Sequence, residues 1–110
     1  MKHFNITFTL LFVLVSSAMV AQMRQANEAF EHHHYEVAIE LYNKAIRKDL
    51  DNGEAVTNLA LSYWRTDKTN LAEYWFNRAV YMNELPEVKL WYSQLLISNE
   101  KYESAIQWLG

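Results

Sequence analysis

Cysteine is absent from all 110 residues, which removes disulfides, thiolate metal ligands, a cysteine nucleophile and a lipidated cysteine at a leader junction. Glycine occurs twice and proline once, at Gly53, Gly110 and Pro86. With so few breakers, the expected architecture is long helices joined by short connections. Basic residues are also sparse: ten Lys and Arg face thirteen Asp and Glu, for a formal charge of −3. Nucleic acid calls for a clustered basic face, so it is not expected as a partner. There is no glycine-rich phosphate loop, no HExxH and no GxSxG. Neither catalysis nor a cofactor is therefore expected. What the chain does have is 51% hydrophobic and 15% aromatic residues, enough to bury a core.

The N-terminus differs from the rest. Lys2 supplies a positive charge ahead of the apolar run Leu10-Leu11-Phe12-Val13-Leu14-Val15, and the small residues Ser16, Ser17, Ala18 and Ala21 follow. This is the pattern of a secretory leader over residues 1–21. Cleavage is expected after Ala21, before Gln22, with Ala18 as the alternative. A spanning helix needs about 20 mainly apolar residues, and Asn5, Thr7, Thr9, Ser16 and Ser17 interrupt this one. The mature segment is expected to be exported without inserting into a membrane. Loss of Lys2 with the leader takes the charge from −3 to −4.

Sliding the sequence along itself by 34 residues superposes Ala26 on Ala60, Ala38 on Ala72, Tyr42 on Phe76 and Ala45 on Ala79. A further 33 carries Leu59 to Tyr92, Ala72 to Ala105 and Trp75 to Trp108. A period of this size points to a solenoid of repeated supersecondary units. Each period holds two amphipathic helices, A and B. In the second, Val56, Leu59, Ala60 and Tyr63 form one apolar face, Asp67-Lys68-Thr69-Asn70 form the turn, and Leu71, Ala72, Trp75, Phe76 and Ala79 form the next face. In the first, helix A lies near Met23 to Glu31, the turn is His32-His33-His34, and helix B runs from Tyr35 to about Lys48. Asp51-Asn52-Gly53 separates the first two periods, and the third starts at Pro86, which suits a first helical turn.

These residues carry a family resemblance. The second period, Val56-x2-Leu59-Ala60-x2-Tyr63 followed by Ala72-x3-Phe76-x2-Ala79, resembles the tetratricopeptide repeat. The first matches at Ala26, Tyr35, Ala38, Tyr42 and Ala45, with Gln22 and Gln25 as weak positions; the third matches at Tyr102, Ala105 and Leu109. The family's repeat-end proline is missing at Leu50 and Glu84, and Pro86 comes two residues late. The resemblance implies an all-α, right-handed superhelix of stacked antiparallel hairpins, divided at 22–52, 53–85 and 86–110. Its third helix B stops at Trp108-Leu109-Gly110, so the last repeat is expected to be truncated and the array to continue.

Close helix approach, about 8–10 Å between axes, demands small contact residues. The expected repeat-packing set is Ala26, Ala38, Tyr42, Ala45, Leu59, Ala60, Tyr63, Ala72, Phe76, Ala79 and Ala105. In the family the A helices line a concave surface that receives ligands. By phase, the resemblance places Asn27, Phe30, Glu31, Thr57, Asn58, Leu61, Trp64, Arg65, Gln94 and Ile97 on that groove, with a protein or peptide as partner. Trp64 is open to two roles, core filler or ligand anchor. Trp91 also falls on an A helix. The three consecutive histidines point different ways from a turn, which suits a solvated surface better than a tetrahedral metal site, so no metal is expected. Glu40 with Lys44 is an ordinary helical charge pair.

A narrower likeness runs from Leu71 to Val80, through Leu85-Pro86-Glu87-Val88-Lys89-Leu90-Trp91-Tyr92 and on to Asn99-Glu100-Lys101-Tyr102. It is similar to the N-terminal repeats of Gram-negative envelope proteins that continue into a β-propeller and an outer-membrane-protein-A-like, peptidoglycan-binding domain. That resemblance implies a docking segment in the periplasm or on the periplasmic face of the outer membrane, with peptidoglycan reached only through a C-terminal domain. A free-standing periplasmic adaptor and the docking module of a longer processing enzyme are the alternatives.

Overall fold

The computed structural model describes residues 18–83 and 85–109; most of the leader segment lies outside them. A first helix, α1, covers residues 18–31. It is followed by α2 (Tyr35–Lys48), α3 (Gly53–Arg65), α4 (Thr69–Met82), α5 (Pro86–Ser98) and α6 (Tyr102–Leu109). Among the described residues there is no strand. The helices pair as hairpins α3/α4 and α5/α6, and α2 packs on α3 as α4 packs on α5; α1 meets α2 through the Tyr42–Asn27 hydrogen bond and the Phe30–Tyr42 ring contact. The last helix has eight residues against fourteen in α2 and α4.

Helix starts follow the local chemistry. Asn52 caps α3 by accepting the backbone N–H of Ala55 at 3.0 Å, satisfying one of the donors that a helix start leaves open. Pro86 opens α5 at its first turn, where a missing N–H costs nothing. Thr69 and Asn70, expected in the second turn, instead begin α4. The loop shortens to Thr66–Lys68 because a backbone motif closes it.

That motif occurs three times. His33, Asp67 and Glu100 adopt left-handed backbone angles, with φ of 61°, 60° and 61°, at separations of 34 and 33 residues. In each turn the following N–H donates five residues back: His34 to Ala29 at 2.8 Å, Lys68 to Tyr63 at 2.9 Å and Lys101 to Leu96 at 2.8 Å. This is a Schellman closure, usually made with glycine, and here none of the three positions has it. Left-handed angles cost an L-residue about 1–2 kcal/mol, partly offset by the greater freedom glycine would have when unfolded. Glu100→Gly is therefore expected to stabilise the stack by about 0.5–1 kcal/mol, read as a rise of a few degrees in the thermal midpoint. A lowered midpoint would show that the glutamate side chain contributes more than its backbone strain costs.

The core is a column of small and large residues. Ala26, Ala38, Ala60, Ala72 and Ala79 are fully buried, as are Tyr42, Leu59 and Phe76, while Ala45, Tyr63 and Ala105 keep only slight exposure. Phe76 stacks on Tyr92 of the next hairpin, with centroids 6.4 Å apart, and meets Trp64 edge-on at 5.8 Å. Asparagines tie successive hairpins: Asn43 donates to the Tyr63 hydroxyl at 3.2 Å, and Asn77 to the Tyr92 hydroxyl at 3.0 Å. Among the described residues no buried side-chain polar atom lacks a partner.

Candidate functional site

Among the described residues, two clefts are lined by the A helices, one by α1 with Asn52 and one by α3 and α5. The first, about 600 Å³, is lined by residues that include Met19, Arg24, Asn27, Glu28, Glu31 and Asn52. Met19 lies between the two expected cleavage points: a cut after Ala18 would keep it, and a cut after Ala21 would remove it and change this cleft. The second, about 480 Å³, is lined by Leu61, Trp64, Arg65, Trp91 and Gln94. Its size falls in the range of ordinary ligand pockets, about 300–1,000 Å³.

The second cleft owes its shape to helix phase. Leu61, Trp64 and Arg65 sit on the last turn of α3, and Trp91 and Gln94 sit three residues apart on α5. α5 is apolar on nearly every side: Val88, Tyr92, Leu95 and Leu96 enter the core, which leaves Trp91 half-buried on the inner face and Leu90 and Ile97 exposed. Trp64 is also half-buried, with one edge against Phe76 and another surface lining the cleft. Arg65 is exposed and, among the described residues, has no carboxylate within salt-bridge distance. The cleft thus offers two indole surfaces, one cation and one amide.

Between the clefts runs a chain of hydrogen bonds. Asn58 donates to the Tyr42 hydroxyl at 3.0 Å, Tyr42 donates to Asn27 Oδ1 at 2.5 Å, and Asn27 Nδ2 reaches Glu54 at 3.3 Å. Burial pushes the Tyr42 hydroxyl up to about 12, opposed by the Asn58 hydrogen bond and assisted by the nearby Glu54 and Glu31 carboxylates. Below pH 10 the tyrosine is protonated whether folded or unfolded, so it adds no pH dependence. Above it the unfolded chain loses the proton first, and folding stability falls as the pH rises toward about 12. Tyr42→Phe is expected to flatten that alkaline loss, measured by urea unfolding at several pH values; an unchanged slope would assign the loss to other tyrosines.

Several expected groove residues sit elsewhere. Thr57 is buried, and its hydroxyl accepts Asn83 Nδ2 at 3.0 Å at the C-terminal end of α4. It is a helix-to-helix tie rather than a ligand contact. Gly53 makes that approach possible, since a Cβ there would lie 2.9 Å from Asn83 Oδ1. Phe30 turns toward Tyr35 and Tyr42, with centroids 5.8 and 6.3 Å away, and packs on the core. Asn27 and Glu31 do line the first cleft, Asn27 while also bonded to Tyr42, and Asn58 is half-buried and engaged with Tyr42. Ile97 is exposed but does not line the second cleft. Trp91, which the sequence puts on an A helix without including it in the groove set, lines the second cleft. It stands 33 residues after Asn58, so the repeat register already pointed to it.

Among the described residues no group of three or more His, Cys, Asp or Glu is placed to hold a metal ion. His32 Nδ1 lies 2.7 Å from the Glu28 carbonyl oxygen, and the His33 ring stacks on Tyr35.

Stacked antiparallel hairpins with a cleft along their A helices define a helical-repeat scaffold for protein–protein interaction. A tetratricopeptide repeat family model matches residues 23–87, more than half of the chain, and the chain belongs to the tetratricopeptide repeat family. Solved structures agree. The first tetratricopeptide domain of Spaghetti (RPAP3), bound to the HSP90 peptide SRMEEVD, is 26% identical, with a TM-score of 0.73 over 82% of this chain and 72% of that one. The first such domain of human RPAP3 is 26% identical, with a TM-score of 0.70 over the same shares. MamA AMB-1 has a TM-score of 0.77 at 13% identity, over 83% of this chain and 50% of that chain, and shows the shared fold alone. No curated protein matches the sequence.

Proposed function

We propose that this chain is an exported docking scaffold of the Gram-negative cell envelope that captures an extended segment of another protein along α1, α3 and α5. The observation that carries the capture is the cleft of Leu61, Trp64, Arg65, Trp91 and Gln94 on successive A helices. Aromatic anchors and arginine dominate the energetics of protein interfaces. The peptide held by the 26% identical RPAP3 domain supports a peptide as the ligand class. The leader pattern supports export, and the likeness of Leu71–Tyr102 to envelope-protein repeats supports the periplasm or the periplasmic face of the outer membrane. On this reading peptidoglycan is gripped by a separate C-terminal domain and the repeats supply only the docking head.

Export is tested by expressing the chain with its native N-terminus in a Gram-negative host, fractionating the cells and sequencing the mature end. The expected product is periplasmic and begins at Gln22, or at Met19 for the alternative cut. A cytoplasmic protein retaining residues 1–21 would contradict export while leaving the groove untouched.

A further inference from the structure

The clefts differ in charge, and that difference selects among peptides. Glu28 and Glu31 line the first cleft together with one cation, Arg24, and Glu54 stands beside it, joined to Asn27 at 3.3 Å, so carboxylates still outnumber the cation there. Among the described residues none of the three has a cationic partner within 4.0 Å. The second cleft has no carboxylate in its lining, which carries Arg65 together with two indoles. An anionic ligand group is therefore repelled at the α1 end and attracted at the α5 end.

Resting on the peptide-capture reading, we infer that the second cleft selects a segment with one large apolar side chain followed or preceded directly by acidic residues. The apolar side chain fills the space between Trp64 and Trp91, burying surface against both rings. The neighbouring carboxylate meets the Arg65 guanidinium, whose planar fork suits two-point contact with a carboxylate. Gln94 offers a donor and an acceptor on the same wall, the pair that a peptide group requires. A basic neighbour in place of the acidic one would face an unpaired cation in a partly desolvated site.

The experiment uses two fluorescein-labelled nine-residue peptides with blocked ends and a central Phe in a Ser/Gly background, one with two Asp beside the Phe and the other with two Lys. Binding is followed by fluorescence anisotropy. The acidic peptide is expected to bind at least tenfold more tightly, and Arg65→Glu should abolish or invert the preference while leaving the circular-dichroism spectrum unchanged. Equal binding of both peptides overturns the charge selection and leaves peptide capture standing. Binding of neither overturns both. A preference that survives Arg65→Glu overturns the assignment to this cleft, as does a preference lost equally in Glu31→Gln and in Arg65→Glu.

Discussion

Replacing Phe76 by alanine is expected to cost about 3–5 kcal/mol of folding stability. The side chain is fully buried, stacks on Tyr92 of the third hairpin and meets Trp64 of the second edge-on. It joins three helices at once: its own α4, α3 behind it and α5 ahead. In a helical stack the stability is roughly a sum of units and the interfaces between neighbours, so removing the ring weakens one unit and its junction with the next. Natural domains are stable by only about 5–15 kcal/mol, and a loss of this size removes much of that. Urea unfolding followed by circular dichroism measures it, with Leu71→Ala, 47% exposed, as a control expected to change little. A cost for Phe76→Ala below about 1 kcal/mol would mean that the hairpins do not rely on this junction.

The second large effect separates the two tryptophans of the cleft. Trp91→Ala is expected to weaken binding of the acidic peptide by about thirtyfold or more, the loss of roughly 2 kcal/mol typical of a buried aromatic anchor. Its thermal midpoint should shift little, because Trp91 is only packed at the edge of the core. Trp64→Ala should lose binding and stability together, since the same ring braces Phe76. Equal loss of stability in both variants would place both rings in the core and remove the ligand role. Trp64→Ala that binds normally would restrict the anchor to Trp91.

Much of this fold is legible in the residues. The spacing of Ala38, Tyr42 and Ala45 marks α2 from Tyr35 to Lys48, as the structure has it, because an apolar stripe and a polar flanking turn agree on one answer. The turns are less legible. Glycine, the usual marker of a left-handed residue, is absent at all three positions; His33 and Asp67 are of types enriched there and give only a weak signal, and Glu100 gives none. The extra hydrogen bonds of the Schellman closure tighten the second turn and draw Thr69 and Asn70 into α4. Groove membership is the least legible feature. Helix phase alone assigns Thr57 to the surface, but Asn83 from the end of α4 folds over it, a contact between segments 26 residues apart. Phe30 turns inward for the same kind of reason, since Tyr35 and Tyr42 offer it aromatic edges. Trp91 is legible as an A-helix residue, and the repeat register equates it with Asn58 of the groove set.

Another recess among the described residues is lined largely by α4, a B helix. It is about 370 Å³, between α4 and the α5–α6 turn, and its walls include Asn70, Glu73, Tyr74, Asn77 and Lys101. Glu73 and Lys101 already pair across it at 2.7 Å, so a ligand there would have to displace a formed ion pair. The second inner cleft has no such occupant.

The most direct test of capture on the inner face is a map of backbone and indole nitrogen–proton shifts on adding the acidic Phe peptide to isotope-labelled protein. The account predicts the largest changes at Leu61, Trp64, Arg65, Trp91 and Gln94, including both indole N–H signals. Changes concentrated at Asn70, Tyr74, Asn77 and Lys101, with the two indoles unmoved, would contradict it.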